Sequence, residues 1–196
     1  MNLNLRDRAS LVGSMTPGEI CVEIGVLGGD FAEVIWEKAR PSEMWLVDCW
    51  QHNPTGKYTK EVAKAIDEGY RVAYDFVVKR FVDRPNVHIL REFSGRASTR
   101  FADGFFDWVY IDADHTEVYN DLLFWWPTVR PGGWVLGHDY EPTIKASVVK
   151  RDVERFVDEH SISEVYVTGG DVVDGMEQPQ LSFAFQKPSH AFRRPA

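Results

Sequence analysis

Five short, nearly continuous apolar runs punctuate the chain: EICVEIGV (19–26), EMWLVDCW (43–50), NVHILREF (86–93), FFDWVYIDA (105–113) and GWVLGHDY (133–140). Such runs suit strands covered on both faces, and the longer stretches between them carry helical spacing, an alternation that predicts a parallel sheet. DFAEVIWEKAR (30–40) opens with Asp30 and has Glu33 three residues on, which predicts a capping box, and Pro41 stops it. The same pairing recurs at Asp114 and Glu117, followed by Val118, Leu122, Trp125 and Val129 on one helical stripe that Pro131-Gly132-Gly133 is expected to end. Further helices are predicted within 57–83, with Val62, Ile66, Val72, Phe76 and Val77 as apolar positions, and over 148–160. EVYVTGG (164–170) and LSFAFQK (181–187) then follow as two strands with no helix between them, which predicts an antiparallel pair at the end of a mostly parallel sheet.

Ligands of open α/β sheets bind beyond the carboxyl ends of the strands, so the polar strand ends are the place to look for chemistry. The first run continues as VEIGVLGGDFA (22–32), with glycines at 25, 28 and 29. The spacing G-x-x-G-G is not the dinucleotide G-x-G-x-x-G, and Asp30 would repel a pyrophosphate. A ligand with an amino-acid end, carrying ammonium and carboxylate, suits Glu23, Asp30 and the glycine amides better. Asp48 ends the second run in LVDCWQ and can accept hydrogen bonds from a ribose diol, while Trp50 could pack on a base. In VYIDADHTEVYNDL (109–122), Asp114 and Glu117 are sufficiently explained by starting a helix, whereas Asp112 ends a buried strand with no such local role. His115 stays open between a general base and a hydrogen-bonding residue that orders the loop. The loops 51–59 and 169–180 are the irregular stretches expected to border an acceptor pocket.

Charge narrows the partner. Thirty acidic against 22 basic residues give a net charge of −8, which argues against nucleic acid and for a small, neutral or cationic partner. No stretch approaches the roughly 20 apolar residues of a membrane span and the first residues do not read as a signal peptide, so a soluble, cytoplasmic protein is expected. Cys21 and Cys49 lie inside apolar runs and are read as buried free thiols. One domain over 1–188 is expected, with 1–17 as an N-terminal helical cap over the cofactor and 189–196 as a flexible tail. A homo-oligomer stays open.

Four segments in order, VEIGVLGGDFA, LVDCWQ, VYIDADHTEVYNDLLFW and VRPGGWVLGHDY, carry a family resemblance. The chain resembles class I S-adenosylmethionine-dependent methyltransferases, and among them the bacterial group related to macrolide-sugar and catechol-type O-methyltransferases. The resemblance implies an α/β, Rossmann-like three-layer sandwich with a seven-stranded, mostly parallel sheet of order 3-2-1-4-5-7-6 and strand 7 antiparallel. It implies S-adenosyl-L-methionine as cofactor, with Glu23, Gly25 and Gly29 against its methionine part, Asp48 on the ribose, and REFSGRAS, Ser94 above all, beside the adenine. Catechol-type relatives hold a divalent cation with an aspartate after the fourth strand and an Asp-Asn pair after the fifth. Asp112 matches the first and Asp139 the second, with Tyr140 where the asparagine would be and His138 preceding. The implied activity is O-methylation of a small hydroxylated acceptor, with Mg²⁺ or another divalent cation assisting, Asp112 facing both cofactor and metal, and His115 or His138 handling the proton. Two rivals stand beside it: a metal-dependent enzyme of another type on the same fold, and a non-catalytic nucleoside-binding module.

Overall fold

The computed structural model describes residues 2–51, 59–113, 116, 118–140, 146–173, 176–178 and 180–189. Asp114, His115 and Glu117, and with them the second predicted capping box and one candidate base, lie outside the described residues, as do most of the 51–59 loop and of the tail. Helix α1 (Arg8–Val12) leads into β1 (Ile20–Ile24), followed by α2 (Asp30–Ala39), β2 (Glu43–Asp48), α3 (Lys60–Phe81) and β3 (Val87–Arg91). Then come α4 (Ser94–Ser98), β4 (Phe106–Ile111), α5 (Val118–Trp125), β5 (Val129–Gly137) and α6 (Ala146–Glu159). The chain ends with β6 (Tyr166–Val167), the hairpin β7 (Asp171–Val173) and β8 (Met176–Gln178), and β9 (Phe183–Gln186).

One seven-stranded sheet has the order β3-β2-β1-β4-β5-β9-β6. All pairs up to β5 are parallel, and β9 runs antiparallel to both β5 and β6. Discounting the small hairpin, this is the expected 3-2-1-4-5-7-6 sheet of a Rossmann-like methyltransferase fold. Alternate residues of the central strands feed two cores. Cys21, Trp108 and Tyr110 face a cluster with Leu11, Phe31, Ile35, Val77 and Phe81 from α1, α2 and α3. Val22, Ile24, Val109 and Ile111 face Leu122, Trp125, Val153 and Phe156 from α5 and α6. Among the described residues no helix is long and apolar enough to cross a membrane. Both cysteines are free thiols, Cys21 buried and Cys49 partly so.

Several local expectations fail for identifiable reasons. The cap of α2 is Gly29 in the left-handed region with no side-chain cap bond, because Asp30 pairs with Arg80 (2.7 Å) and Glu33 with Arg84 across α3. Long-range cations outcompete the local capping box. Helix α5 stops at Trp125, and Pro131-Gly132-Gly133 lies inside β5, beside the register shift between Phe106 and Trp108. On α3 only Val77 and Phe81 are buried, while Val62, Val72 and Phe76 are exposed, so the apolar spacing misplaces the helix's inner face. Residues 169–180 contain the hairpin instead of an irregular loop, and the strand read at 164–170 shrinks to Tyr166–Val167.

Candidate active site

Parallel ladders bring four strand ends into line. Beyond the regular pairing, Gly25 N donates to Val47 O (2.9 Å), Asp112 N to Ile24 O (2.8 Å), His138 N to Ile111 O (3.1 Å) and Glu92 N to Asp48 O (3.0 Å). The residues that follow β1, β3, β4 and β5 therefore share one edge of the sheet with the end of β2.

The loop after β1 is held in an unusual shape. Gly25 (φ +90°), Leu27 (φ +48°) and Gly29 (φ +76°) all sit in the left-handed region. At Gly25 a Cβ would come within 2.2 Å of the Asp112 carbonyl oxygen, so only glycine lets β1 pass the end of β4 this closely. At Gly29 it would press on Val77 Cγ2 (3.1 Å) and Phe81 Cε2 (3.3 Å), which makes this glycine a packing position between α2 and α3. Leu27 has no such freedom and is held from both sides. Asp48 Oδ2 accepts from the amides of Val26 and Leu27 (2.9 Å each), and Trp50 Nε1 donates to Leu27 O (2.8 Å). Asp48 Oδ1 accepts from Trp50 N (2.8 Å), so one carboxylate ties the ends of β1 and β2 together. A 60 % exposed leucine kept in this left-handed backbone by that many bonds is local strain of the kind that clusters at ligand sites. The sequence pattern drew attention to the glycines and missed Leu27.

Trp50 is fully buried, with its ring edge-on to Tyr74 at 5.0 Å between centroids, so the expectation that it packs on a base is corrected: the indole supports the loop from beneath. Ser94 opens α4, a helix the sequence did not announce. Its hydroxyl donates to Asp121 and accepts from Trp125 Nε1 (2.9 Å), which turns the side chain toward α5, while the neighbouring Phe93 stands exposed.

Glu23 is buried on the α1–α2 face of β1, and its Oε2 has no hydrogen-bond partner among the described residues. Burial pushes its carboxyl well above the usual range; the charges of Asp112 and Asp48 push the same way, and Arg8 opposes them. A carboxyl whose pKa is raised by folding contributes stability that is fully present below its unfolded pKa and lost as pH rises through the folded one. Glu23→Gln, neutral at every pH, should therefore gain stability over the wild type as pH rises from 5 to 9. Urea unfolding at three pH values reads this directly, and a difference that does not change with pH would contradict it.

After β4 and β5 stand Asp112, His138 and Asp139, which offer donor atoms that all lie within 4.8 Å of one another. His138 Nδ1 is 3.7 Å from Asp112 Oδ1 and 3.5 Å from Asp139 Oδ1. Asp139 adopts φ +58°, a conformation that a short polar side chain tolerates. Tyr140 turns inward, packs on Phe183 and donates toward Glu154 (3.4 Å); burial, then the Glu154 carboxylate, push its phenol up to about 12. Two carboxylates and an imidazole fit a divalent cation, with His138 in place of the missing amide oxygen. Arg8 reaches the same edge from α1, with Nη1 3.7 Å from Asp112 Oδ2. The sequence reading gave Arg8 no role.

Comparison with known proteins bears on the family and the fold. The family model described as a methyltransferase domain matches residues 22–140, more than half of the chain. No curated protein matches the sequence. Among solved structures, precorrin-6y C5,15-methyltransferase from Geobacter metallireducens GS-15 superposes with a TM-score of 0.63 at 14% identity, over 92% of this chain and 87% of that one. Cofactor-bound Rv0187 from MTB gives 0.56 at 18%, over 92% and 78%. Spermidine synthase from Thermotoga maritima gives 0.63 at 11%, over 96% and 59%. At such identities the likeness is one of fold alone.

Proposed function

The chain belongs to the methyltransferase-domain family, as a class I S-adenosylmethionine-dependent methyltransferase, and from that premise we propose that it methylates an oxygen of a small hydroxylated molecule with the help of a divalent cation. The observation that carries the finer reading is the group Asp112, His138 and Asp139, gathered at the ends of β4 and β5 beside the glycine loop. The cofactor supplies an electrophilic methyl group on a sulfonium. Around it, the amides of the loop and the buried Glu23 would face the amino-acid end, and the free acceptor capacity of Asp48 Oδ1 would take a ribose hydroxyl. A cation held by Asp112, His138 and Asp139 would lower the pKa of an acceptor hydroxyl. Without a cation, His138 Nδ1 sits between two carboxylates that would hold a proton it received from the acceptor, a second reading favoured by the same distances. The net charge of −8 speaks for a small acceptor over nucleic acid.

Thermal unfolding with Mg²⁺, Mn²⁺ and Zn²⁺ separates the two readings. A cation at about a hundred times its Kd should stabilise by about 2.7 kcal/mol, a rise of several degrees in Tm. The rise should vanish in Asp139→Ala and His138→Ala. If no divalent ion moves the wild-type midpoint and a chelator leaves it unchanged, the metal reading fails and the His138 reading stands. Product formation from a library of hydroxylated acceptors, followed by mass spectrometry, tests the transfer itself. Cofactor binding without any methylated oxygen across that library would speak for the nucleoside-binding rival.

A further inference from the structure

Helix α1 is short but firmly seated. Asp7 caps it by accepting from Ser10 N (2.7 Å), Leu11 and Val12 are fully buried in the α1–α2–α3 core, and Gly169 N donates to Leu5 O (2.8 Å) just before it. Arg8 opens this helix. Its guanidinium lies 4.5 Å over the ring of Phe31, in the first turn of α2, and pairs with Asp112 Oδ2 at 3.7 Å. Its positive charge is felt by the buried Glu23. The side chain is only 31 % exposed, so the cation stands against the wall of the site, not in bulk water.

The charges there call for a ligand of a particular kind. Glu23, Asp48 and Asp112 crowd one edge, and the Oε2 of Glu23 is buried with no hydrogen-bond partner among the described residues. A ligand ammonium would find acceptors on that side. Its carboxylate would need a cation, and Arg8 brings one to the same edge in a fork geometry suited to carboxylate.

We infer that Arg8 recognises the carboxylate of the cofactor's amino-acid end, exchanging Asp112 for that carboxylate when the cofactor enters. The inference rests on the reading of the glycine loop as the seat of that amino-acid end. In the exchange Asp112 is released toward the ligand ammonium or toward the group it forms with His138 and Asp139, so cofactor entry and completion of the acceptor side are linked through one carboxylate. No covalent step is involved.

The test compares two ligands that differ only in that carboxylate: S-adenosyl-L-homocysteine and its decarboxylated analogue, each titrated by calorimetry into wild type, Arg8→Met and Arg8→Lys. The wild type should prefer S-adenosyl-L-homocysteine by about ten- to a hundredfold, the range for a hydrogen bond to a charged group. Arg8→Met should erase that preference while binding the decarboxylated compound as the wild type does, and Arg8→Lys should restore part of it. A role confined to anchoring α1 would weaken both ligands equally in Arg8→Met; that result, or a wild type indifferent to the carboxylate, overturns the inference. Binding of neither compound by the wild type would instead overturn the reading of the glycine loop, and with it the inference.

Discussion

Asp48→Ala is expected to weaken binding of S-adenosyl-L-homocysteine by at least about a hundredfold in calorimetry, equivalent to about 2.8 kcal/mol. The side chain accepts three backbone amides, from Val26, Leu27 and Trp50, each bond to a charged acceptor being worth about 1.5–3 kcal/mol. Without it, only the Trp50 indole bond to Leu27 O still holds Leu27 at φ +48° from the β2 side, and the loop is expected to relax toward ordinary backbone. Asp48→Asn should fall between the two, since its amide can serve Val26 and Leu27 through oxygen but then turns an N–H toward Trp50 N. Binding by Asp48→Ala within threefold of the wild type would show that the loop keeps its shape unaided.

Gly25→Ala should cost the fold about 3–5 kcal/mol, combining left-handed strain with overpacking. The added methyl would point at backbone, the carbonyl of Asp112 2.2 Å away, and no side-chain rotation relieves that. Either β1 or β4 must move, and with them the glycine loop and Asp112, so ligand binding should disappear along with the stability. Urea unfolding followed by fluorescence measures the loss; a change below 1 kcal/mol would mean the strand ends can part at little cost.

The sheet was legible because strands covered on both faces must be apolar throughout, and helices packed on them must repeat near 3.6; β1 to β5 follow from those two demands alone. What escaped was local. The five-residue α4 has too little length for periodicity, and its start, Ser94, spends its hydroxyl on α5. The capping box at Asp30 and Glu33 looked self-sufficient because nothing in the sequence shows that Arg80 on α3 and Arg84 in the turn after it return to it. Of the site, Glu23, Gly25, Asp48, Asp112 and Asp139 were visible as polar or glycine positions at strand ends. Their geometry gives some of them structural work in the fold: Asp48 holds the loop amides and Gly29 packs on α3. Trp50 was misread because an aromatic residue after a strand looks the same in sequence whether it faces a ligand or lies under a loop. Arg8 could not be found at all, since an isolated arginine near the start of a chain carries no pattern.

The strand order has a consequence for how the molecule comes together. Strands β1, β2 and β3 are successive in sequence and neighbours in the sheet, but β1 also pairs with β4, and at the base of that pair Ile20 N meets the carboxylate of Asp107 across 87 positions of chain. Closing so long a loop spends entropy before any contact returns it, so the joining of the two halves is expected to be a slow step of folding. Gly25 and Asp112 meet across that very seam. A nascent chain thus carries the glycine loop well before the strand that shapes it has arrived, and the candidate site is complete only in chains that have made this distant pairing.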